Sequence, residues 1–345
     1  MSSAVMTSGA RSAAPARSVI AWLQLTAAMI FAMAVIGAIT RLTESGLSIT
    51  EWKPITGALP PLSQAEWQDA FDKYKQIPEY QAIHSDMTLA EFKNIFWWEF
   101  VHRLFGRTIG VFYLIPFLWF VWRGAIDRAL GWPLGGIFVL GGLQGAMGWY
   151  MVASGLVDRI DVSPYRLTAH LGLAIVIYAA SLWVAFGLAR PGRAEGARGG
   201  GVGLALSALA FVTILSGGFV AGNDAGLVYN TFPTMNGEWV PSEYLRDSPT
   251  WINFFENHAT VQFNHRVLAI TTFCAALAFW AWARGRAETP RARLLVNAVA
   301  AVALIQVSLG ISTLLLAVPI SLAAAHQAGG IALLTVAMAA AHELR

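Results

Sequence analysis

An all-α integral membrane protein is the fold class this chain predicts, and three features of the sequence predict it. Only 12% of the 345 residues are charged and 56% are hydrophobic, against a charged share of about a quarter in soluble domains. Eight apolar runs are long enough to cross a bilayer as helices: 19–40, 103–122, 133–152, 167–188, 202–221, 264–283, 294–316 and 320–341. Arginines also alternate between connecting segments. One set, the N-terminus, every second loop and the C-terminus, carries Arg11 and Arg17, Arg123 and Arg128, Arg190, Arg193 and Arg198, Arg284, Arg286, Arg291 and Arg293, and Arg345. The opposite short loop, 153–165, holds Arg159 beside Asp158 and Asp161. The positive-inside rule then predicts both termini in the cytoplasm.

Each element follows from its residues. Segment 1–17 lacks acids, as targeting peptides do. The run after it is too long for a signal-peptide core, so it is expected to stay as the first span. The long outer segment 41–98 holds most of the acidic residues and an amphipathic stretch over 64–80, opened by the capping signature Ser63 and Glu66. Leu62, Trp67, Phe71 and Tyr74 are expected to rest on the membrane surface. A second outer segment, 222–262, contains Pro233, Pro241 and Pro249 and reads as irregular backbone. Cys274 is the single cysteine, which excludes an internal disulfide. The net charge of +3 gives no reason to expect a nucleic-acid partner.

The chain repeats itself. A Gly- and Arg-rich linker at 190–201 separates four spans from four. The expected organisation is a tail at 1–18, one four-helix half at 19–189, the linker, and a second half at 202–345. Gly37-Ala38-Ile39-Thr40 matches Gly217-Gly218-Phe219-Val220, and Gln144 with Gly148 matches Gln306 with Gly310. Each half has four spans, so the two insert with one orientation, as pseudo-symmetric four-helix bundles forming a parallel repeat.

The repeat carries four histidines. His102 and His170 lie 68 residues apart in the first half, and His265 and His326 lie 61 apart in the second. Arg103 follows His102 as Arg266 follows His265. All four histidines are expected near the outer ends of the even-numbered spans, within the first two turns, where a pair from each half can face across a bundle. Imidazole is an axial ligand of heme iron, so the pattern suits two bis-imidazole hemes. Arg41, Arg103, Arg107 and Arg266 are positioned to meet heme propionates. Glu99 shares a helix face with His102; its counterpart, Gln262, cannot ionise. A carboxylate beside one site alone suggests that the first half performs chemistry and the second holds an auxiliary cofactor. His84, His258 and His342 read as solvated. Trp97, Trp98 and Trp149 fit an interfacial belt. Gly141-Gly142 and Gly145-Ala146 form a small-residue face that permits close approach of a helix or macrocycle. Gln144 and Gln306 are placed to hydrogen-bond across helices.

The segments Thr40-Arg41-Leu42-Thr43-Glu44-Ser45-Gly46-Leu47-Ser48, Trp52-Lys53-Pro54-Ile55-Thr56-Gly57, residues 97–107 around Glu99 and His102-Arg103, residues 143–152 from Leu143-Gln144-Gly145, and Phe263-Asn264-His265-Arg266 together resemble the heme A synthase family, most closely its proteobacterial and mitochondrial branch. The resemblance runs from the first span to the eighth. It implies an oxidoreductase that converts the C8 methyl of heme O to a formyl group, giving heme A for terminal cytochrome oxidase. It implies heme O as substrate at His102 and His170 with Glu99 beside them, and a heme b between His265 and His326. It further implies a bacterial inner membrane with the heme sites near the periplasmic side, and an electron donor not identifiable from sequence. Heme O synthase, cytochrome oxidase assembly factors and further copies of this chain are the implied partners. The outer-loop cysteine pair of some relatives is missing, so thiol-based transfer does not carry over. The competing readings from the residues are a non-catalytic di-heme b-type electron-transfer cytochrome and a transporter built on parallel repeats.

Overall fold

The computed structural model describes residues 13–53, 55–157, 159–190 and 198–345. Most of the expected tail, most of the expected linker, and with them Arg11, Pro54, Asp158 and Arg193, lie outside the described residues. Eight helices among the described residues are long and apolar enough to cross a membrane. They are α1 (Ala13–Leu42), α4 (Leu89–Trp122), α5 (Arg128–Gly155), α6 (Pro164–Ala189), α7 (Arg198–Gly222), α8 (His258–Ala283), α9 (Pro290–Leu315) and α10 (Ile320–Glu343). Two short helices, α2 (Gln64–Tyr74) and α3 (Pro78–Ile83), stand between α1 and α4.

Four of the eight form the centre. α1 packs on α6 and α10, and α7 packs on α6 and α10. The others flank them, α4 on α1, α5 on α6, α8 on α7 and α9 on α10. The central contacts carry the largest apolar cluster, with Leu23, Ile175 and Ile331 fully buried. Polar bonds also tie the first four spans to the last four. Tyr178 Oη and Thr335 Oγ1 lie 2.7 Å apart. Gln327 Nε2 donates to the Ala34 carbonyl at 2.7 Å, and Arg41 pairs with Asp224 at 2.7 Å. In hydrocarbon such groups have no water to fall back on, so each needs a protein partner.

Pro116 illustrates that constraint. A proline inside a helix frees the carbonyl four residues earlier, here Phe112 of α4. Trp22 of α1 donates its indole N–H to that carbonyl at 3.2 Å. The indole thereby repairs the helix and pins α1 to α4.

Several expectations need correction. α4 begins at Leu89 rather than 103, because Thr88 and Glu91 form a capping box. Its 34 residues span about 50 Å, well past an apolar core of about 30 Å. The projecting end is what α2 packs on. Trp67 meets Phe96 at 4.8 Å between ring centroids, and Phe71 stacks on Phe92 at 5.0 Å. Trp67, Phe71 and Tyr74 are therefore buried in protein, not laid on a membrane surface; only Leu62 is exposed. The capping box at Ser63 and Glu66 is present.

His84 is not a free surface group either. Its Nδ1 lies 2.7 Å from Tyr74 Oη and its Nε2 lies 3.3 Å from Glu44. Tyr74 also donates to Glu79, a carboxyl 4% exposed. Burial pushes Glu79 up to about 8, and repulsion from Asp161, Glu99 and Glu44 adds to the rise. His342 is buried between Trp183 and Phe186 rather than solvated. His258 is exposed, as expected.

Two outcomes follow. Glu79 binds its proton more tightly folded than unfolded, so the stability it contributes is complete below about pH 4.5 and is lost as pH rises through about 8. Thermal melts of detergent-purified protein from pH 5 to 9 should show wild type falling relative to Glu79→Gln by roughly 3 kcal/mol. Trp22→Phe should cost about 1 kcal/mol, and less in a Pro116→Ala background, where Phe112 regains its helical donor; a double-mutant cycle reads the difference.

Candidate functional site

The four histidines do not all open helices. His170 and His326 are the seventh residues of α6 and α10, and His265 the eighth of α8. His102 is the fourteenth residue of α4, since the helix starts earlier than the apolar run. All four nevertheless come to one end of the molecule, that of the long connecting segments.

Each imidazole rests on a glycine of the preceding span. A Cβ on Gly37 would stand 3.0 Å from His102 Cε1, on Gly148 3.1 Å from His170, on Gly217 3.1 Å from His265 and on Gly310 2.7 Å from His326. Any side chain there meets a ring. Gln144 Nε2 donates to the His170 carbonyl at 3.1 Å, and Gln306 Nε2 to the His326 carbonyl at 3.0 Å. The glutamines thus bind across helices, as expected.

Within the last four spans the two rings face one another. The His265 and His326 centroids are 6.4 Å apart and the planes nearly perpendicular, at 88°. Two imidazoles on one metal, each at about 2 Å, place their centroids about 6 Å apart. In the first four spans, His102 of α4 and His170 of α6 each rest on a glycine of the preceding span at the same end. The Nδ1 atoms of His102, His170 and His326 are buried without a partner. No cluster of three or more His, Cys, Asp or Glu side chains suited to a bare ion occurs among the described residues. Couples of imidazoles, with no third protein ligand, suit an iron already held in a macrocycle.

Glu99 is 2% exposed and lies well inside α4, so it is not a helix-terminal charge. One oxygen accepts from Arg103 Nη2 at 2.6 Å. The other accepts from Ser48 Oγ at 2.7 Å and from the Ile49 N–H at 2.6 Å. Arg103 in turn donates to the carbonyls of Ile49 and Glu51. The matching residues act on the segment after α7. Gln262 Nε2 donates to the carbonyls of Ala225 and Tyr229, and Arg266 donates to Tyr229, Thr231 and Gln262. Arg107 donates to the Lys53 carbonyl. Each of the four arginines expected at propionates also donates to a backbone carbonyl, and Arg41 pairs with Asp224 as well, with Asp161 at 3.9 Å.

Sequence reasoning missed Ser48 as a partner of Glu99, and Ser216, whose Oγ lies 2.8 Å from His265 Nδ1. Nothing in the spacing marks a serine as facing a particular side chain 49 or 51 residues away. The small-residue face of α5 is open: nothing lies within 4 Å of a Cβ on Gly141, Gly142 or Gly145. Among the described residues no helix approaches these three glycines closely.

Eight candidate spans, with four imidazoles each seated on a glycine at one end, define the class as a multi-pass membrane protein. Residues 20–338 match the COX15-CtaA family of cytochrome oxidase assembly proteins. The chain is 54% identical to the heme A synthase of Nitrosospira multiformis over 94% of this chain and 92% of that one. It is 53% identical to the heme A synthase of Rhodospirillum centenum over 97% and 90%, and 51% to that of Nitrosomonas eutropha over 92% and 91%. The chain belongs to the heme A synthase family, membrane oxidoreductases that convert heme O to heme A.

Gly310→Ala should displace the His326 ring and lower heme bound per protein by about 10-fold or more. Gly136→Ala, in open space and outside the site, should leave it unchanged. Pyridine-hemochrome quantification of both variants checks this.

Proposed function

We propose that the two halves of this heme A synthase divide the work. His102 and His170 hold heme O as substrate, while His265 and His326 hold a resident heme b. The observation that carries this reading is the pair of imidazole couples, alike in their glycine seats and glutamine bonds, beside which only the first has a carboxylate. Glu99 stands where Gln262 stands in the second half. A further difference supports the assignment. Gly110, Gly141 and Gly145 of the first half correspond to Phe273, Ala303 and Val307 of the second. Heme O carries an isoprenoid tail that heme b lacks, and the glycines leave room on that side.

When bound, heme b supplies one-electron redox chemistry between the site and an external donor or acceptor. The chain's own groups do the rest. The two imidazoles would hold the substrate macrocycle between α4 and α6 at the depth of Glu99. The Glu99 carboxylate, held by Arg103, Ser48 and the Ile49 N–H, keeps a negative charge close to the substrate couple. There it stabilises positive charge developing on the substrate or accepts a proton as methyl becomes formyl. Arg103 and Arg107 fasten the segment 49–53 over this end, which limits water.

The arginine-rich loops lie at the end opposite the histidines. The reading therefore places both termini in the cytoplasm and the sites near the periplasmic side of a bacterial inner membrane. An unidentified electron donor, heme O synthase, oxidase assembly factors and further copies of this chain are its proposed partners.

Glu99→Gln decides the role of the carboxylate. With heme content at the parental level, heme A formed in cells supplied with heme O should fall at least about 100-fold. Parental heme A output by this variant would make Glu99 an anchor for the loop alone.

A further inference from the structure

The two couples differ in a second way, one step behind the rings. Ser216 of α7 directly precedes Gly217, the glycine that seats His265. Its Oγ donates to the Thr213 carbonyl at 2.8 Å and lies 2.8 Å from His265 Nδ1. A hydroxyl has one proton. The carbonyl can only accept, so for both contacts to be hydrogen bonds Ser216 Oγ gives its proton to Thr213 and accepts from Nδ1–H. The His265 tautomer is thereby fixed, with Nε2 left as the lone-pair nitrogen.

The matching position before Gly37 is Ile36. Isoleucine has no polar side-chain atom, and His102 Nδ1 is buried with no hydrogen-bond partner. The ring of His102 thus sits on its glycine with no hydrogen bond at Nδ1 to set its tautomer. A ligating imidazole whose second nitrogen is hydrogen-bonded is better oriented and more basic, and losing that partner typically costs about 10–100-fold in affinity.

We infer that Ser216 is a positioning residue that makes His265 a permanent ligand, and that Ile36 makes His102 a releasable one. The inference rests on the assignment of resident heme to the second half and substrate to the first. It gives chemical sense to the difference. A resident group is best held by an imidazole whose orientation is locked. A substrate that must leave as product is best held by one that lets go. The hydroxyl also favours the oxidised iron, because a more basic imidazole donates more charge to it.

The test uses the full-length protein purified with its heme, in Ser216→Ala, Ser216→Val and Ser216→Thr forms, and Ile36→Ser in the first half. Two readouts besides turnover apply: the midpoint potential of the second-half heme, and its rate of transfer to excess apo-globin. Ser216→Ala and Ser216→Val should raise the potential and speed transfer by about 10-fold or more, with Ser216→Thr restoring both. Ile36→Ser should slow transfer of the heme bound at His102 and slow product release in parallel. Parental potential and transfer rate in Ser216→Ala and Ser216→Val, while His265→Ala abolishes the low-spin spectrum, would overturn the inference and leave the assignment of heme to the second half standing. A low-spin spectrum that survives His265→Ala would overturn that assignment and the inference with it.

Discussion

The close seating of each imidazole on a glycine is the contact from which the rest of this structure takes its form. A ring set directly against a neighbouring backbone brings α1 to α4, α5 to α6, α7 to α8 and α9 to α10 at the histidine end. Helix association in lipid depends on such close packing and on internal hydrogen bonds, since apolar burial gives no gain there. The same contact limits where the rings can point. Gln144 and Gln306, one turn from Gly148 and Gly310, bind the backbone beside His170 and His326 and fix the depth of α6 and α10.

A second arrangement closes each site from outside. The residue three before the first histidine and the arginine after it reach the segment that follows the preceding span. In one place the pair is Glu99 and Arg103, in the other Gln262 and Arg266. The change from carboxylate to amide reverses the polarity of the bonds. Glu99 accepts from Ser48 and the Ile49 N–H, whereas Gln262 donates to the carbonyls of Ala225 and Tyr229. One scaffold therefore carries a buried carboxylate at one place and an amide at the other. The arginines grip backbone carbonyls in both places, Arg103 that of Ile49 and Arg266 that of Tyr229.

The eight spans were legible because hydropathy over twenty residues is a strong signal, and their connection order follows. The four histidines and the glutamine–glycine pairs stood out because they recur at matched spacing, and Glu99 because its counterpart is Gln262. The start of α4 was not. An apolar scan sees residue 103, while the chain obeys the capping box at Thr88, and the polar residues between belong to a helix that projects toward α2. Trp67, Phe71 and Tyr74 gave an amphipathic face without saying what it would cover. His84 and His342 looked solvated because their partners, Tyr74 with Glu44, and Trp183 with Phe186, are distant in sequence or on other elements.

By itself the sequence determined the membrane class, the number of spans and the residue types available for chemistry, because these depend on local composition and on spacing along one chain. Only the tertiary structure decided that α1, α6, α7 and α10 form the centre, that Trp22 repairs the break at Pro116, and that Ser216 rather than any flagged residue stands behind His265. Those outcomes depend on which helix faces meet, and helix rotation is set by packing between segments that a reading along the chain cannot bring together.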